Sequence, residues 1–399
     1  MPSSPKDFVA EIISRFGERY PGSPGEVAAQ QWIAEQWSVE FAGESVDQQP
    51  FKAATTAKFQ SLKLFFGIYY ICLALAWVDL TAAFVLSLIN TILFLGHFVM
   101  YRDWLDRFWP HHNSSNVIAT LEPENEVRST ILVAGHVDAA TEYKWWYRFG
   151  HPGLVLTVLS GFLPVVATAG YGIWMMQTGS VAAVSQPWFW YFLLTTAPIT
   201  LTMFSLHGKG TVDGAIDNLS GVAVAREVGL RFGNQPGKST LKHTRLKLIS
   251  FGCEECGLKG SRAYATRNVE LLKKEGAVLL NMESFRNDQH FTLLNAELFT
   301  GARYPDLLNS RMADSFRACG HEVSIGPLPI GATDATSLAA VGVPSTCVIG
   351  LDSSKLDETY HTRRDNLDNL DPVGMAAMAD VLEDFIRKWD EQGWTKADF

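Results

Sequence analysis

Histidine and carboxylate residues stand directly after several apolar runs of this 399-residue sequence. Three runs typical of buried strands lead into such groups: His136-Val137-Asp138, Glu254-Glu255 and Glu283. Asp217-Asn218 precedes a predicted helix, and Tyr360-His361-Thr362 follows the last predicted strand. Imidazole and carboxylate groups are ligands that zinc and similar divalent metals take. A bridging carboxylate can hold two metals about 3.5–4 Å apart, a pair that clamps a hydroxide and polarises a carbonyl. The residue types therefore predict a two-metal hydrolytic centre.

The spacing within two of these groups indicates how the chemistry is divided. Residues two apart in an extended segment point to the same side, so the Asp138 carboxylate is placed to accept the second ring N–H of His136. Glu254 and Glu255 are adjacent, so they cannot both point one way along a strand. We therefore expect one of them to bind metal and the other to face the attacking water as general base.

The elements that must position these groups alternate between strand-like and helix-like patterns. Strands are predicted at Asn116–Leu121, Thr130–His136, Leu246–Cys253, Ala277–Glu283, Phe291–Leu294 and Thr346–Leu351. Helices are predicted at Pro5–Phe16, Ser23–Trp37, Asn218–Phe232, Lys259–Arg267, Pro305–Cys319, Asp334–Val341 and Pro372–Trp389, with Trp389–Phe399 as a short tail. This alternation predicts an α/β fold with a mixed, mostly parallel sheet covered by helices on both faces. In such sheets functional groups gather at the carboxyl ends of the strands.

The order of these motifs resembles the co-catalytic di-zinc aminopeptidase family of clan MH, which also contains glutamate carboxypeptidases and glutaminyl cyclases. The matching segments are Arg19–Ser23, Ser115–Ala119, Gly135–Asp138, Gly214–Gly221, Cys253–Ser261, Asn281–Glu283 and Tyr360–Thr362. The resemblance covers nearly all of the polar part of the chain.

The resemblance implies a role for each residue of the predicted centre. It assigns five metal ligands and three catalytic residues: His136, Asp217, Glu255, Glu283 and His361, then Glu254, Asp138 and Tyr360. Asp217 would bridge two Zn²⁺ ions, with His136 and Glu283 completing one site and Glu255 and His361 the other. Glu254 would be the general base, Asp138 would orient His136, and Tyr360 would donate a hydrogen bond to the oxyanion. The family more often has Asp where this chain has Glu283, so we expect a looser site there or another divalent metal.

Two long segments with almost no charge lie outside the part of the chain that carries the resemblance. Leu64–Met100 holds 37 residues with one formal charge, Asp79, and Phe149–Gly208 holds 60 residues with none. About 20 apolar residues cross a bilayer core, so each segment predicts a helical hairpin. The first comprises Phe59–Val78 and Leu80–Met100 and turns at Asp79, and the second comprises Gly153–Met176 and Pro187–Leu206 with a polar turn between them. Tryptophans near the predicted helix ends fit an interfacial belt. The predicted domain plan is a peptidase domain of residues 1–58, 101–150 and 208–399, with transmembrane hairpins at 59–100 and 151–207.

Flanking charge predicts the side on which the polar part lies. Lys and Arg residues flank both hairpins and are missing from both turns, which places the polar part in the cytoplasm by the positive-inside rule. The N-terminus carries no signal-peptide core. A formal net charge of −9 argues against nucleic-acid binding. We thus predict an integral membrane protein with four transmembrane helices; the sequence indicates no oligomeric state.

The second hairpin separates His136 from Asp217 by 81 positions, where soluble relatives have a short loop. This insertion predicts that the active-site mouth lies close to the bilayer and receives hydrophobic or membrane-proximal peptides. A simple anchoring role is the alternative.

The favoured activity is aminopeptidase action, and other interpretations remain. Arg363 and Arg364 hint at a carboxypeptidase, or they pair with Asp365 or lie on the surface. Another amide hydrolase, or a catalytically silent scaffold on the same fold, is a further alternative. Asp334 lies near the substrate pocket by resemblance or caps a helix. Four helices with almost no intramembrane charge argue against a transporter.

Overall fold

The computed structural model describes residues 2–41, 45–178, 187–352 and 357–398. Its helices are α1 Pro5–Phe16, α2 Pro24–Phe41, α3 Ala57–Leu75, α4 Leu80–Phe94, α5 Lys144–Phe149, α6 His151–Thr178, α7 Pro187–Leu201, α8 Ser220–Phe232, α9 Lys259–Lys274, α10 Asp306–Ala318, α11 Asp334–Ala339 and α12 Pro372–Gln392. Its strands are β1 Val46–Ala53, β2 His112–Leu121, β3 Ser129–His136, β4 Thr141–Tyr143, β5 His207–Thr211, β6 Gly233–Gln235, β7 Lys238–Ser239, β8 Thr244–Phe251, β9 Ala277–Glu283, β10 Thr292–Glu297, β11 Ala302–Arg303, β12 Ser324–Leu328 and β13 Ser345–Ile349.

The chain divides into two compact units. The α/β unit comprises Met1–Thr55, His111–Thr141 and Gly210–Phe399, and the helical unit comprises Thr56–Pro110 and Glu142–Lys209. The polar motifs of the predicted centre all belong to the α/β unit.

A nine-stranded mixed sheet forms the centre of the α/β unit. Its strand order is β1-β2-β8-β3-β9-β13-β10-β11, and β12 pairs with β10. The four strands β8, β3, β9 and β13 run parallel, and antiparallel strands flank them on both sides. The predicted α/β fold with a mixed, mostly parallel sheet is confirmed, and its parallel middle brings four strand ends to one edge.

Helices cover both faces of this sheet because alternate strand residues point to opposite sides. On β3, Ile131 and Val133 pack into a core with α1, α2, α8, α10 and α12. Leu132 and Ala134 point the other way, into a second core with α9 and α11. Both sets are fully buried. The two cores hold the parallel strands rigidly from both sides.

The predicted elements were largely found, and the differences have clear causes. The antiparallel edge strand β1 was not predicted, since its alternation Val46-Asp47-Gln48-Gln49 is too polar to stand out. The C-terminal tail was wrong: α12 extends to Gln392 and Trp389 is fully buried. Trp389 packs against Phe385 and Trp394 and donates its indole N–H to the Ser129 hydroxyl at 2.9 Å.

The helical unit contains long apolar helices at the predicted positions. Among the described residues, three are long and apolar enough to cross a membrane: Ala57–Leu75, Leu80–Val99 and His151–Gln177. Asp79 immediately precedes α4, at the predicted turn, and its carboxylate caps the helix by accepting the N–H of Ala82 at 3.0 Å.

Only part of the predicted fourth span, Pro187–Leu206, is α-helical. The α-helix α7 has 15 residues and continues as a 3₁₀ turn over Thr202–Ser205. At 1.5 Å per residue, α7 alone is about 22 Å long, short of a bilayer core of about 30 Å. The predicted second turn lies mostly outside the described residues.

Buried hydroxyl and amide groups join the helices of this unit. The Tyr70 hydroxyl on α3 donates to the carbonyl of Ala197 on α7 at 2.8 Å. The Asn90 amide on α4 donates to the carbonyl of Phe65 on α3 at 3.0 Å. Such bonds between apolar helices substitute for the hydrophobic driving force that a lipid surrounding lacks.

Candidate metal centre

The ends of three adjacent parallel strands bring most of the predicted ligands together. His136 is the last residue of β3, Glu283 is the last residue of β9, and Glu254 and Glu255 follow the end of β8. Because β8, β3 and β9 are neighbours in the sheet, these side chains emerge at one edge. The placement matches the expectation that polar groups collect at the carboxyl ends of parallel strands.

Asp217 lies between the two histidines. Its Oδ1 atom is 3.3 Å from His136 Nε2, and its Oδ2 atom is 3.6 Å from His361 Nε2. Asp217 comes from the turn Ala215–Leu219 that precedes α8, where its backbone departs from helical geometry and the peptide bond to Asn218 is cis. One carboxylate thus offers an oxygen to each histidine, as a bridging ligand requires.

Each histidine also meets a glutamate of its own. His361 Nε2 is 3.2 Å from Glu255 Oε2, and His136 Nε2 is 3.7 Å from Glu283 Oε2 and 3.8 Å from Glu254 Oε2. Within the described residues, the groups able to share an ion are His136/Asp217/Glu283, His136/Glu254/Glu255 and Asp217/Glu255/His361. All are buried apart from the partly exposed Glu254. The structure therefore brings every predicted metal ligand into one cluster.

Asp138 does more than its spacing from His136 suggested. Its Oδ1 atom lies 3.5 Å from His136 Nδ1, and its backbone carbonyl oxygen is nearer, at 3.2 Å. Its two carboxylate oxygens accept the backbone N–H groups of Glu254 and Glu255, at 3.0 and 2.9 Å. Asp138 therefore faces the ring of one ligand and fixes the loop that carries two others.

The extra methylene of Glu283 is accommodated by a hydrogen bond. The buried Asn281 side chain, two residues earlier on β9, donates to Glu283 Oε1 at 2.9 Å. This bond leaves Oε2 directed towards His136. The Glu283 carboxylate is therefore held in place by Asn281, and it offers one oxygen to a metal.

The electrostatics of the cluster favour added positive charge. Burial opposes the charged form of His136, but the carboxylates of Glu254, Asp138 and Asp217 outweigh it and hold the pKa of His136 well above its usual range. Burial above all raises the pKa of Glu254 well above its usual range, against the effect of His136. The same cause, opposed by the same histidine, raises the pKa of Glu283.

These residues fit divalent metal ions. Nitrogen and oxygen donors converge from five segments, and the buried Glu255 Oε1 atom has no hydrogen-bond partner among the described residues. Buried carboxylates are costly unless they are paired or bind a metal. Two imidazoles and three carboxylates form the mixed donor set that zinc takes.

Comparison with known proteins agrees with this geometry. Residues 201–386 match the model of peptidase family M28. This match covers 186 of the 399 residues, a little under half of the chain. No curated protein sequence matches the chain at a significant level.

Several solved structures share the fold of the chain. A glutaminyl cyclase from Porphyromonas gingivalis aligns with a TM-score of 0.57 at 16% identity and covers 98% of both chains. A Zn-dependent exopeptidase from Parabacteroides distasonis aligns at 0.55 and 14% identity, over 97% of this chain and 98% of its own. An aminopeptidase from Aneurinibacillus sp. strain AM-1 aligns at 0.55 and 16%, over 96% and 93%. At such identities the likeness shows the fold alone, which is that of zinc-dependent peptidases and of cyclases.

Other predicted residues of the α/β unit lie around the cluster. The Tyr360 ring stacks on His361, with centroids 4.0 Å apart. Asp334 is fully buried as the first residue of α11, and neither carboxylate oxygen accepts a hydrogen bond among the described residues, so the capping interpretation is wrong. Burial raises the pKa of Asp334 to about 7.

Two further observations concern an arginine and a cysteine pair of the α/β unit. Arg364 pairs with Glu358, and Asp365 is fully buried, so the suggested pairing of Arg364 with Asp365 is wrong. Cys253 and Cys256 are buried free thiols. Burial raises the pKa of Cys253 well above its usual range, which does not favour a reactive thiolate.

Sequence reasoning missed three residues that hold the ligands. They are Asn281, which fixes Glu283, Asn218, whose side-chain oxygen accepts the N–H of Ser284 at 3.2 Å, and Asp365. Asn281 and Asn218 lie inside the motif segments, and Asp365 follows His361 by four positions. Their proximity to ligands was the only signal, and side-chain contact with a remote backbone cannot be deduced from spacing.

Proposed function

We propose that the protein is a membrane-anchored di-zinc exopeptidase that removes N-terminal residues from peptides. The position of Asp217 carries this proposal, since its two oxygens face two histidines that each have a separate glutamate. This symmetry supports two metal sites sharing one carboxylate. His136, Glu283 and Asp217 would hold one ion, and His361, Glu255 and Asp217 the other.

The chain's own residues supply the remaining steps. Bound ions of this kind activate a water molecule and polarise the scissile carbonyl. Glu254, the only partly exposed carboxylate of the cluster, accepts the proton of the attacking water and passes it to the leaving amine. Tyr360, which stacks on His361, donates a hydrogen bond to the developing oxyanion. The carboxylates of Glu283 and Glu255 are candidates to receive the free substrate amine.

Replacement of the general base tests this activity. In Glu254→Gln we expect kcat/KM to fall about 10²–10⁴-fold, because amide oxygen is a poor proton acceptor. Zinc content should stay near two ions per chain, as measured by elemental analysis of the purified protein. Glu35→Gln, on the exposed face of α2, is the control and should keep full activity.

The substrates in this assay separate the alternatives. Cleavage of free-amine peptides only supports the aminopeptidase, and cleavage of amine-blocked peptides supports carboxypeptidase or other amide hydrolysis. Because glutaminyl cyclases share the fold, a peptide with N-terminal Gln is included, and loss of ammonia without release of a residue would identify cyclase action. Zinc-free, inactive protein would instead indicate a silent scaffold.

We further propose that both hairpins cross the bilayer, giving four spans with the α/β unit in the cytoplasm. Three helices with sufficient length and apolarity support this, and α7 with its 3₁₀ extension supplies the fourth crossing. The helical unit contains seven Lys and Arg residues, none of them within the predicted turns.

The substrates proposed for this membrane-anchored form are hydrophobic or membrane-proximal peptides. Two peptides with one N-terminal sequence, one bearing a C-terminal acyl chain, would be compared in lipid vesicles containing the enzyme. Faster turnover of the acylated peptide supports delivery through the bilayer. Equal turnover supports a simple anchor.

A further inference from the structure

We propose that Asp365 is a positioning residue that holds the bridging ligand Asp217 in place and thereby sets the affinity for one of the two metal ions. The proposal rests on the two-metal centre proposed above. The Asp365 carboxylate accepts hydrogen bonds from the backbone of the bridging segment, including that of Asp217 itself.

The contact between Asp365 and the bridging segment uses both carboxylate oxygens. Oδ1 accepts the N–H of Ile216 at 2.6 Å, and Oδ2 accepts the N–H of Asp217 at 3.1 Å. Asp365 is fully buried, so water does not compete for these bonds. Two bonds to consecutive amides fix the position and orientation of the two peptide groups that lead into Asp217.

The Asp217 segment needs such an external acceptor. Asp217 and Asn218 have non-helical backbone angles, with φ/ψ of −109/92° and −142/36°, within the turn that begins α8. Backbone N–H groups at a helix start have no carbonyl of their own helix to reach. Asp365 therefore satisfies amides that would otherwise be buried without a partner, at the one place where both metal sites meet.

Burial above all, and the nearby Asp217 carboxylate, raise the pKa of Asp365 well above its usual range, while its two backbone hydrogen bonds and buried Arg19 favour its charged form. Arg19 is fully buried and donates to the carbonyls of Val137 and Asp213 at 3.0 and 2.5 Å, and its positive charge acts on Asp365. Val137 stands between His136 and Asp138. Arg19 thus binds the backbone next to His136 and also favours the charged form of Asp365, which follows His361 in the chain.

Another aspartate of the same unit, Asp390, accepts backbone N–H groups at a place remote in function from the metal cluster. On α12, the mostly buried Asp390 carboxylate accepts the backbone N–H groups of Lys242, His243 and Thr244 at 2.6, 2.8 and 2.9 Å. None of these residues belongs to the metal cluster. Asp390→Asn removes the same kind of interaction away from the centre and is the matched control for Asp365→Asn.

The test is metal binding by the full-length protein in detergent. Metal-stripped wild type, Asp365→Asn and Asp390→Asn are titrated with Zn²⁺ against a chromophoric chelator, and then with Co²⁺ while its visible absorption is recorded. Asn presents one acceptor and turns an NH₂ group towards the other amide, so the bridging carboxylate should shift. We expect one ion to bind Asp365→Asn about 10–100-fold more weakly, the range for loss of residues that support metal ligands. Its Co²⁺ spectrum should change for that equivalent, whereas Asp390→Asn should bind both ions like wild type.

Each other result is decisive. Two ions bound by Asp365→Asn with wild-type affinity and spectrum would overturn the proposal and leave the proposed function intact. Equal weakening in Asp390→Asn would assign the effect to general destabilisation and would also overturn it. Wild type that binds no metal would overturn both the proposed function and this inference.

A second variant covers the case in which Asp365→Asn does not fold. Asp365→Glu keeps the charge and both acceptors, but its extra methylene displaces the 216–217 backbone. It should weaken one ion and spare the other, and two unchanged affinities in this variant would overturn the proposal.

Discussion

Individual side chains at this centre have two kinds of task. His136, Asp217 and His361 offer donor atoms to one shared space. A second set of carboxylates and amides holds the backbone from which those donors project, as Asp138 does for the loop of Glu254. A metal site depends on both, because ligands without such support lose affinity even when they are all present.

One supporting ion pair makes stability depend on pH. Asp357 accepts two bonds from the Arg286 guanidinium, at 2.9 and 2.7 Å, and two from Thr359. Although burial acts in the opposite direction, these bonds hold the pKa of Asp357 below its usual value of 3.8. The unfolded chain therefore takes up a proton at this group before the folded chain does. Its stabilising effect is complete above pH 3.8 and is lost as the pH falls through the folded-state pKa.

We expect Asp357→Asn to lower the free energy of unfolding by about 1–2 kcal/mol at neutral pH, because a bond to a charged group is lost at a partly exposed site. Urea unfolding at neutral pH and well below pH 3.8 measures the effect, and the difference from wild type should shrink at the acid end. Asp380→Asn removes an exposed pair with Arg231 and should cost less. A difference that is the same at both pH values would contradict the prediction.

At the scale of elements, close packing between β3 and α8 aligns two ligand segments. His136 ends β3, and Asp217 lies in the turn just before α8. Gly135 allows these elements to approach, since a Cβ atom there would lie 2.7 Å from backbone atoms of Gly221 and Val222. The distance between the histidine and the bridging carboxylate thus depends on the absence of one methyl group.

Gly135→Ala should therefore force β3 and α8 apart. Overpacking of this kind costs about 1–3 kcal/mol, and we expect a lower melting temperature together with weaker metal binding. Gly326→Ala on β12 is the control, because a Cβ atom there meets nothing within 4 Å. Thermal unfolding followed by circular dichroism measures both, and wild-type stability in Gly135→Ala would refute the packing argument.

At the scale of the whole molecule, the chain combines an α/β unit, part of which matches peptidase family M28, with an apolar helical unit that two insertions build. Among its described residues the helical unit has three helices suited to a bilayer, and exposed apolar side chains such as Val85, Ile89 and Leu159 lie along them. These surfaces fit contact with lipid, since soluble proteins rarely expose large contiguous apolar patches. The proposed orientation places the turn at Asp79 on the side of the membrane away from the cytoplasm.

Cysteine labelling tests that orientation. Four native cysteines are buried, so replacing the less buried Cys319 by Ser gives a quiet background. Val78→Cys places a thiol at an 80% exposed position beside the first turn, and Ser3→Cys places one at the exposed N-terminus. A membrane-impermeant maleimide should label Val78→Cys in intact cells and Ser3→Cys only after lysis. The reverse pattern would refute the cytoplasmic placement.

The sequence by itself determined the chemistry and the order of the elements. Strand and helix periodicity depends on local burial, so β3, β9 and α12 could be predicted closely. Motifs at strand ends indicated which residues would meet, because neighbouring parallel strands present their carboxyl ends at one edge. The two long apolar segments could also be recognised from the sequence, since length and composition alone predict the capacity to span a membrane.

Only the tertiary structure decided how the ligands are held. The hydrogen bond from the Asp217 N–H to the Asp365 carboxylate joins residues 148 positions apart, and that from the Glu254 N–H to the Asp138 carboxylate joins residues 116 apart. Such bonds depend on the final angle between packed elements, which no local pattern encodes. The burial of Trp389 is decided in the same way, because a helix end is free or packed according to what the rest of the chain places beside it.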